Sequence, residues 1–98
     1  MAEKKNESLG VSFSLPDKMT VRKQLAYFSE AGLARGKDTM ERFWRGAVAV
    51  IEDWQCEKLP DIDVDLDTLT DPKLVEVIIW TALEVKRHMD ALDDVPKN

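Results

Sequence analysis

Two groups in this sequence could act as a nucleophile and its base: the single cysteine, Cys56, and the single histidine, His88. Such a pair is catalytic when a third group orients the imidazole. Helical spacing places Cys56 beside Arg45 and Glu52 on a charged side, and His88 lies near the end of a predicted helix. No orienting residue or nucleophile elbow accompanies them. We therefore predict an incidental thiol, a surface imidazole and no enzymatic activity.

A run of aspartates is the second candidate for chemistry, in the stretch LPDIDVDLDTLTDP, residues 59–72. Counted from Asp61, the first, third and fifth positions match the ligands of an EF-hand loop, whereas Leu66 and Pro72 replace its glycine and its glutamate. Without that turn the carboxylates cannot surround one calcium ion. One cysteine and one histidine are too few for zinc, and no glycine-rich phosphate loop is present. We predict no metal and no cofactor.

The same stretch has the period-two alternation of a strand with one solvated face. Its apolar residues would face the domain, and its aspartates would protect an exposed strand edge. The other alternating segment is VSFSL, residues 11–15, so we predict that 11–15 and 61–66 pair as a two-stranded ribbon. Because aspartate is poor in strands, an extended cover segment is the alternative for 61–66.

Helical periodicity accounts for most of the remaining sequence. Val21, Leu25 and Phe28 share a face that Ala31 continues, and Gly32 stops this first helix.

A second helix is predicted from a capping-box spacing of Asp38 and Glu41. It runs to about Glu57, with one apolar face. The residues of that face are Met40, Phe43, Trp44, Ala47, Val48, Val50, Ile51 and Trp54.

The third helix has Asp71 as N-cap and Pro72 at its first position, and Pro96 ends it. One apolar stripe contains Leu74, Val75, Ile78, Ala82, Val85, Met89 and Leu92. The opposite side is also apolar, with Ile79, Trp80 and Leu83. These three residues are either the back of a central buried helix or an exposed patch that binds a partner. We name them as the candidate partner-binding residues, since tryptophan is a favoured interface anchor.

The predicted fold is therefore mainly α: three helices with a short two-stranded ribbon or cover segments. The 98 residues are 44% hydrophobic and 34% charged, as in soluble domains. We expect a disordered tail over 1–10, one domain over 11–95 and a short tail over 96–98. Residues 1–10 lack the apolar run of a signal peptide. No window approaches the ~20 apolar residues of a membrane span, so a cytoplasmic protein is expected.

Charge is unevenly distributed along the chain, whose net charge is −5. Residues 1–58 carry 10 basic and 9 acidic side chains, and residues 59–98 carry 4 basic and 10 acidic, so the two parts have net charges of +1 and −6. The basic part contains two predicted helices separated by a glycine, which suggests a nucleic-acid-binding regulator as an alternative function. The connector is longer than a helix-turn-helix allows, and a pI of about 4.8 opposes attraction to phosphate. Nucleic acid is the less favoured partner.

From Val11 onward the chain resembles small proteins encoded among bacteriophage and prophage morphogenesis genes, of the tail assembly chaperone kind. The stretches that carry this resemblance are FSLPDKMTVRKQLAYF, ERFWRGA, DLDTLTDP and ALDDVPKN. It implies a non-enzymatic, helical factor that keeps a tail component soluble before assembly, in the host cytoplasm. It supplies no functional residues. We expect a protein-interaction or assembly factor that binds a protein partner or associates with itself through apolar helix faces.

Overall fold

The computed structural model describes residues 1–33 and 39–92. They form a three-stranded antiparallel sheet packed against helices, which is an α+β fold. The prediction of a mainly α fold is therefore wrong. The strands are β1 (Ala2–Asn6), β2 (Val11–Leu15) and β3 (Glu52–Cys56). The helices are α1 (Val21–Leu33), α2 (Thr39–Val50) and α3 (Lys73–Leu92), with a 3-10 turn at Leu66–Thr68.

Strand β2 lies at the centre of the sheet and pairs antiparallel with both β1 and β3. Its alternate residues Val11, Phe13 and Leu15 are buried, so the strand predicted from this alternation is confirmed. The predicted two-stranded ribbon is wrong, because β2 takes its partners from the first residues of the chain and from the end of the predicted second helix.

Strand β1 forms from the segment that was predicted to be a disordered tail. A four-residue turn joins it to β2, in which the Leu9 amide donates to Asn6 Oδ1 at 3.1 Å and Gly10 has a φ of +67°. Glycine adopts this φ without steric cost. The exposed side chains of β1, Glu3 and Lys5, are charged, which protects a strand edge but removes the apolar alternation that periodicity detects.

The acidic stretch 61–66 is irregular chain and not the predicted strand. The carboxylates of Asp61 and Asp65 accept hydrogen bonds from the amides of Asp63 and Asp67, at 2.9 and 3.0 Å. Local side-chain bonds of this kind offer the backbone an alternative to strand pairing. The apolar residues between the aspartates pack on the core; they are Ile62, Val64 and Leu66.

Helix α2 ends at Val50, so the predicted helix to about Glu57 is wrong in its last part. The chain continues as β3, where Asp53 has a φ of 54° and a bulge lies opposite Phe13. Apolar residues in this region fit both periods, which is why the helical pattern seemed to continue. Cys56 is consequently a buried strand residue and does not lie on a charged helix face. Asp38, the predicted cap of α2, lies outside the described residues, as does Pro96.

Gly46 in α2 allows α1 and α2 to pack closely. A Cβ atom at this position would lie 2.8 Å from a ring carbon of Tyr27. We predict that Gly46→Ala lowers the free energy of unfolding by about 1–3 kcal/mol, the usual cost of overpacking. The loss should occur although alanine is the better helix former by about 1 kcal/mol. Urea unfolding measures it.

The matched control is Gly32→Ala in α1, where an added Cβ meets nothing within 4 Å. This variant should be as stable as the parent or up to about 1 kcal/mol more stable. A similar gain for Gly46→Ala would contradict the close contact with Tyr27.

Candidate functional site

The two groups that could have formed a catalytic pair have separate surroundings. The thiol of Cys56 is buried in a cluster with Val11 and Leu59. His88 lies on α3, half-buried, with Nε2 3.0 Å from the carbonyl oxygen of Pro16. The thiol is thus enclosed by apolar side chains, whereas the imidazole faces a main-chain carbonyl oxygen.

The aspartates of 61–67 are exposed, and two of them bond to the local backbone. Within residues 1–33 and 39–92, no group of three histidine, cysteine, aspartate or glutamate side chains is arranged to hold a metal ion. In the same part of the chain, no helix combines the length and hydrophobicity required to cross a bilayer.

An apolar groove of about 400 Å³ lies beside α3, between the start of α2 and the 3-10 turn. Its volume is in the range of about 300–1,000 Å³ typical of ligand-binding clefts. The lining residues are Met40, Glu41, Leu66, Leu69, Asp71, Leu74, Val75, Ile78 and Ile79. Two of them are charged, Glu41 and Asp71, and both are acidic. We call this feature the α3 groove.

The side of α3 that faces solvent supplies one wall of the α3 groove. Val75 and Ile79 are 58% and 38% exposed, and Leu83, a further turn along, is 39% exposed. Their spacing of four residues keeps them on one face. The core face of the same helix contains Leu74 and Val77, both buried. Helix α3 therefore presents apolar residues to the core and to solvent.

The three residues predicted to bind a partner occupy different surroundings. Ile79 lines the α3 groove, and Leu83 lies one turn beyond it. Trp80 is half-buried and packs edge-on against Phe13, with ring centroids 5.7 Å apart. Val75 was assigned to the core stripe but is exposed in the groove wall. Its spacing of four residues from Ile79 is the signal that could have grouped the two.

A negative charge is fixed at one end of the groove. Asp71 Oδ1 accepts a hydrogen bond from the Lys73 amide at 3.0 Å, and Oδ2 lies 3.6 Å from Lys58 Nζ. The amide hydrogen bond, helped by the Lys58 ammonium, lowers the pKa of Asp71 below its usual value of 3.8. The carboxylate therefore stays ionised over the whole physiological range and caps α3.

A second exposed apolar surface lies on α1. Val21, Leu25 and Phe28 are 72%, 62% and 57% exposed, at spacings of four and three that place them on one face. Tyr27, next to Phe28 in the sequence, is buried against α2, and its ring packs edge-on against that of Phe28 with centroids 5.3 Å apart. We call the three exposed residues the α1 stripe.

Comparisons with protein-family models, with curated proteins and with solved structures return no match for this chain. The features that bear on function are therefore the two apolar surfaces, the charges around them and the sequence resemblance. The α3 groove is the better-formed surface, because it is concave and has charged residues of a single sign.

We predict that Asp71→Ala lowers the melting temperature at pH 7, because the Lys73 amide loses its acceptor. The pKa of this carboxyl is lower in the folded state, so its stabilisation is full above the unfolded-state pKa. It is lost as the pH falls through the lower folded-state pKa. The difference between wild type and variant should therefore shrink in acid. Thermal melts at pH 7 and at lower pH measure it.

Asp71→Asn is the matched control, since asparagine is an equally good N-cap. It should retain more stability than the alanine variant at pH 7. Equal melting temperatures for wild type and Asp71→Ala at pH 7 would show that this carboxylate does not stabilise the start of α3.

Proposed function

We propose that the protein is a non-enzymatic interaction factor that binds a partner protein through the α3 groove. The observation that carries this proposal is the exposure of Val75 and Ile79 beside a concave apolar lining. Apolar side chains on a folded surface are concentrated where a partner covers them. A helix laid in such a groove is a common mode of peptide recognition.

The charge around the groove defines the chemistry of its partner. Residues 58–76 carry six acidic side chains and two basic side chains, a net charge of −4. The charged residues lining the groove, Glu41 and Asp71, have the same sign. A partner segment with apolar residues at helical spacing, flanked by lysine or arginine, matches both features.

This activity agrees with the role implied by the resemblance to tail assembly chaperones. A factor that keeps a long tail component soluble must cover apolar helical segments until assembly. The α3 groove offers that cover, in the host cytoplasm if the chain is encoded by a phage. The nucleic-acid alternative has less support, because Lys23 is paired with Glu52 at 2.9 Å and Arg42 donates to the Ala31 carbonyl at 3.2 Å.

The test uses a fluorescent peptide of leucine and lysine patterned as an amphipathic helix. We predict that it binds wild-type protein and that Ile79→Lys weakens binding at least about tenfold, as expected for losing one buried aliphatic contact. Ala91→Lys is the matched control. It places the same lysine at an exposed position of the same helix, outside the groove lining and twelve residues from Ile79. Fluorescence anisotropy measures both.

A leucine–glutamate peptide of the same pattern should bind more weakly, because Glu41 and Asp71 of the groove lining repel its negative charge. Equal binding by wild type and Ile79→Lys would remove the groove from consideration. Salt-sensitive binding to random duplex DNA, without peptide binding, would favour the nucleic-acid alternative.

A further inference from the structure

The α1 stripe and the α3 groove are complementary surfaces on the same chain. We propose that the α1 stripe of one copy docks into the α3 groove of a second copy, so that the protein associates with itself. This inference rests on the proposed function of the groove and names one occupant for it. Three features support it. The stripe is exposed, the two regions carry opposite net charges, and one surface is a helix face whereas the other is a concave groove.

The α1 stripe cannot be covered by the core of its own domain. Helix α1 uses Tyr27 to pack against Gly46 of α2. Val21 and Leu25 are consequently left exposed, and Phe28, whose ring contacts Tyr27, is 57% exposed. Thirteen residues make a helix about 20 Å long, enough to present all three side chains to one groove.

Opposite charges accompany the two surfaces. Residues 18–33 carry three basic side chains and one acidic side chain, a net of +2, against −4 for residues 58–76. Lys18, three residues before α1, and Arg22, in its first turn, are exposed. In the docked arrangement the basic start of α1 lies near the acidic rim formed by Glu41 and Asp71. Charge complementarity of this kind favours encounter and fixes orientation.

The contact joins two different surfaces, so it is heterologous. Each copy offers one stripe and one groove, and repeated docking generates a ring or an open chain. One helix face in one groove is a small contact, and small interfaces are weak and reversible. The association is therefore concentration-dependent, and a partner helix of similar chemistry displaces it from the groove.

Sedimentation velocity of the full chain, from about 10 µM to about 1 mM, covers the affinities of small interfaces. Wild type should show a mass that rises with concentration and falls with added salt. Leu25→Glu, which removes the stripe, and Ile79→Lys, which removes the groove, should each remain monomeric. An equimolar mixture of the two variants should form a complex again, because one chain retains an intact groove and the other an intact stripe.

Glu30→Lys in α1 and Ala91→Lys in α3 are the controls, since both change exposed residues of the same helices that do not lie three or four residues from the substituted stripe and groove residues. They should associate as wild type does. Circular dichroism of every variant separates lost association from lost folding. Variants that fold but do not complement each other overturn the proposal, as does association that survives either Leu25→Glu or Ile79→Lys.

The self-association experiment and the peptide-binding test of the proposed function can fail independently of each other. Leu25→Glu retains its groove and should still bind the leucine–lysine peptide. If the wild-type chain binds this peptide but stays monomeric up to about 1 mM, only the self-association is overturned. A concentration of about 1 mM is high enough to populate even a weak interface.

Discussion

Phe13 is packed between two tryptophans, and this contact joins the sheet to the helices. Its ring centroid lies 6.1 Å from that of Trp54 on β3 and 5.7 Å from that of Trp80 on α3. Trp54 also contacts Trp44 of α2, with centroids 6.1 Å apart, so all three tryptophans belong to one aromatic group. Aromatic pairs contribute about 0.5–1.5 kcal/mol beyond their buried area. The orientation of α3 depends on this group, because Trp80 fixes which side of the helix faces β2.

Once Trp80 is turned towards β2, the remaining sides of α3 are determined. Leu74 and Val77 are buried in the same cluster as Trp44, and the opposite stripe that contains Val75 and Ile79 has no described element covering it. Helix α1 packs mainly on α2, which leaves its outer face open as well. The exposed apolar surfaces therefore follow from the packing of a small domain. They are not scattered residues, and they are the surfaces on which the proposed binding role depends.

Periodicity in the sequence was sufficient for the elements with a strong apolar pattern. It predicts α3 and β2, whose buried residues recur at regular intervals, and α1, whose recurring apolar residues are exposed. It misses β1, because a polar edge strand has no such pattern, and it extends α2 through β3, because Trp54 fits either period. The direction of the α1 stripe also could not be predicted. A periodic apolar face indicates a helix, but only the position of Tyr27 against Gly46 shows which side the core takes.

The acidic stretch shows that an alternating pattern can predict correctly which residues face the core but incorrectly which backbone conformation they adopt. Its alternation places Ile62 and Val64 against the core, as a strand would, while Asp61 and Asp65 bend the backbone by bonding to nearby amides. Leu66 continues this alternation and lines the α3 groove. Its neighbouring aspartates are then held beside the groove. The carboxylates that resemble part of a calcium loop in the sequence thus supply negative charge next to an apolar surface. The basic amphipathic helix proposed as partner is complementary to both features.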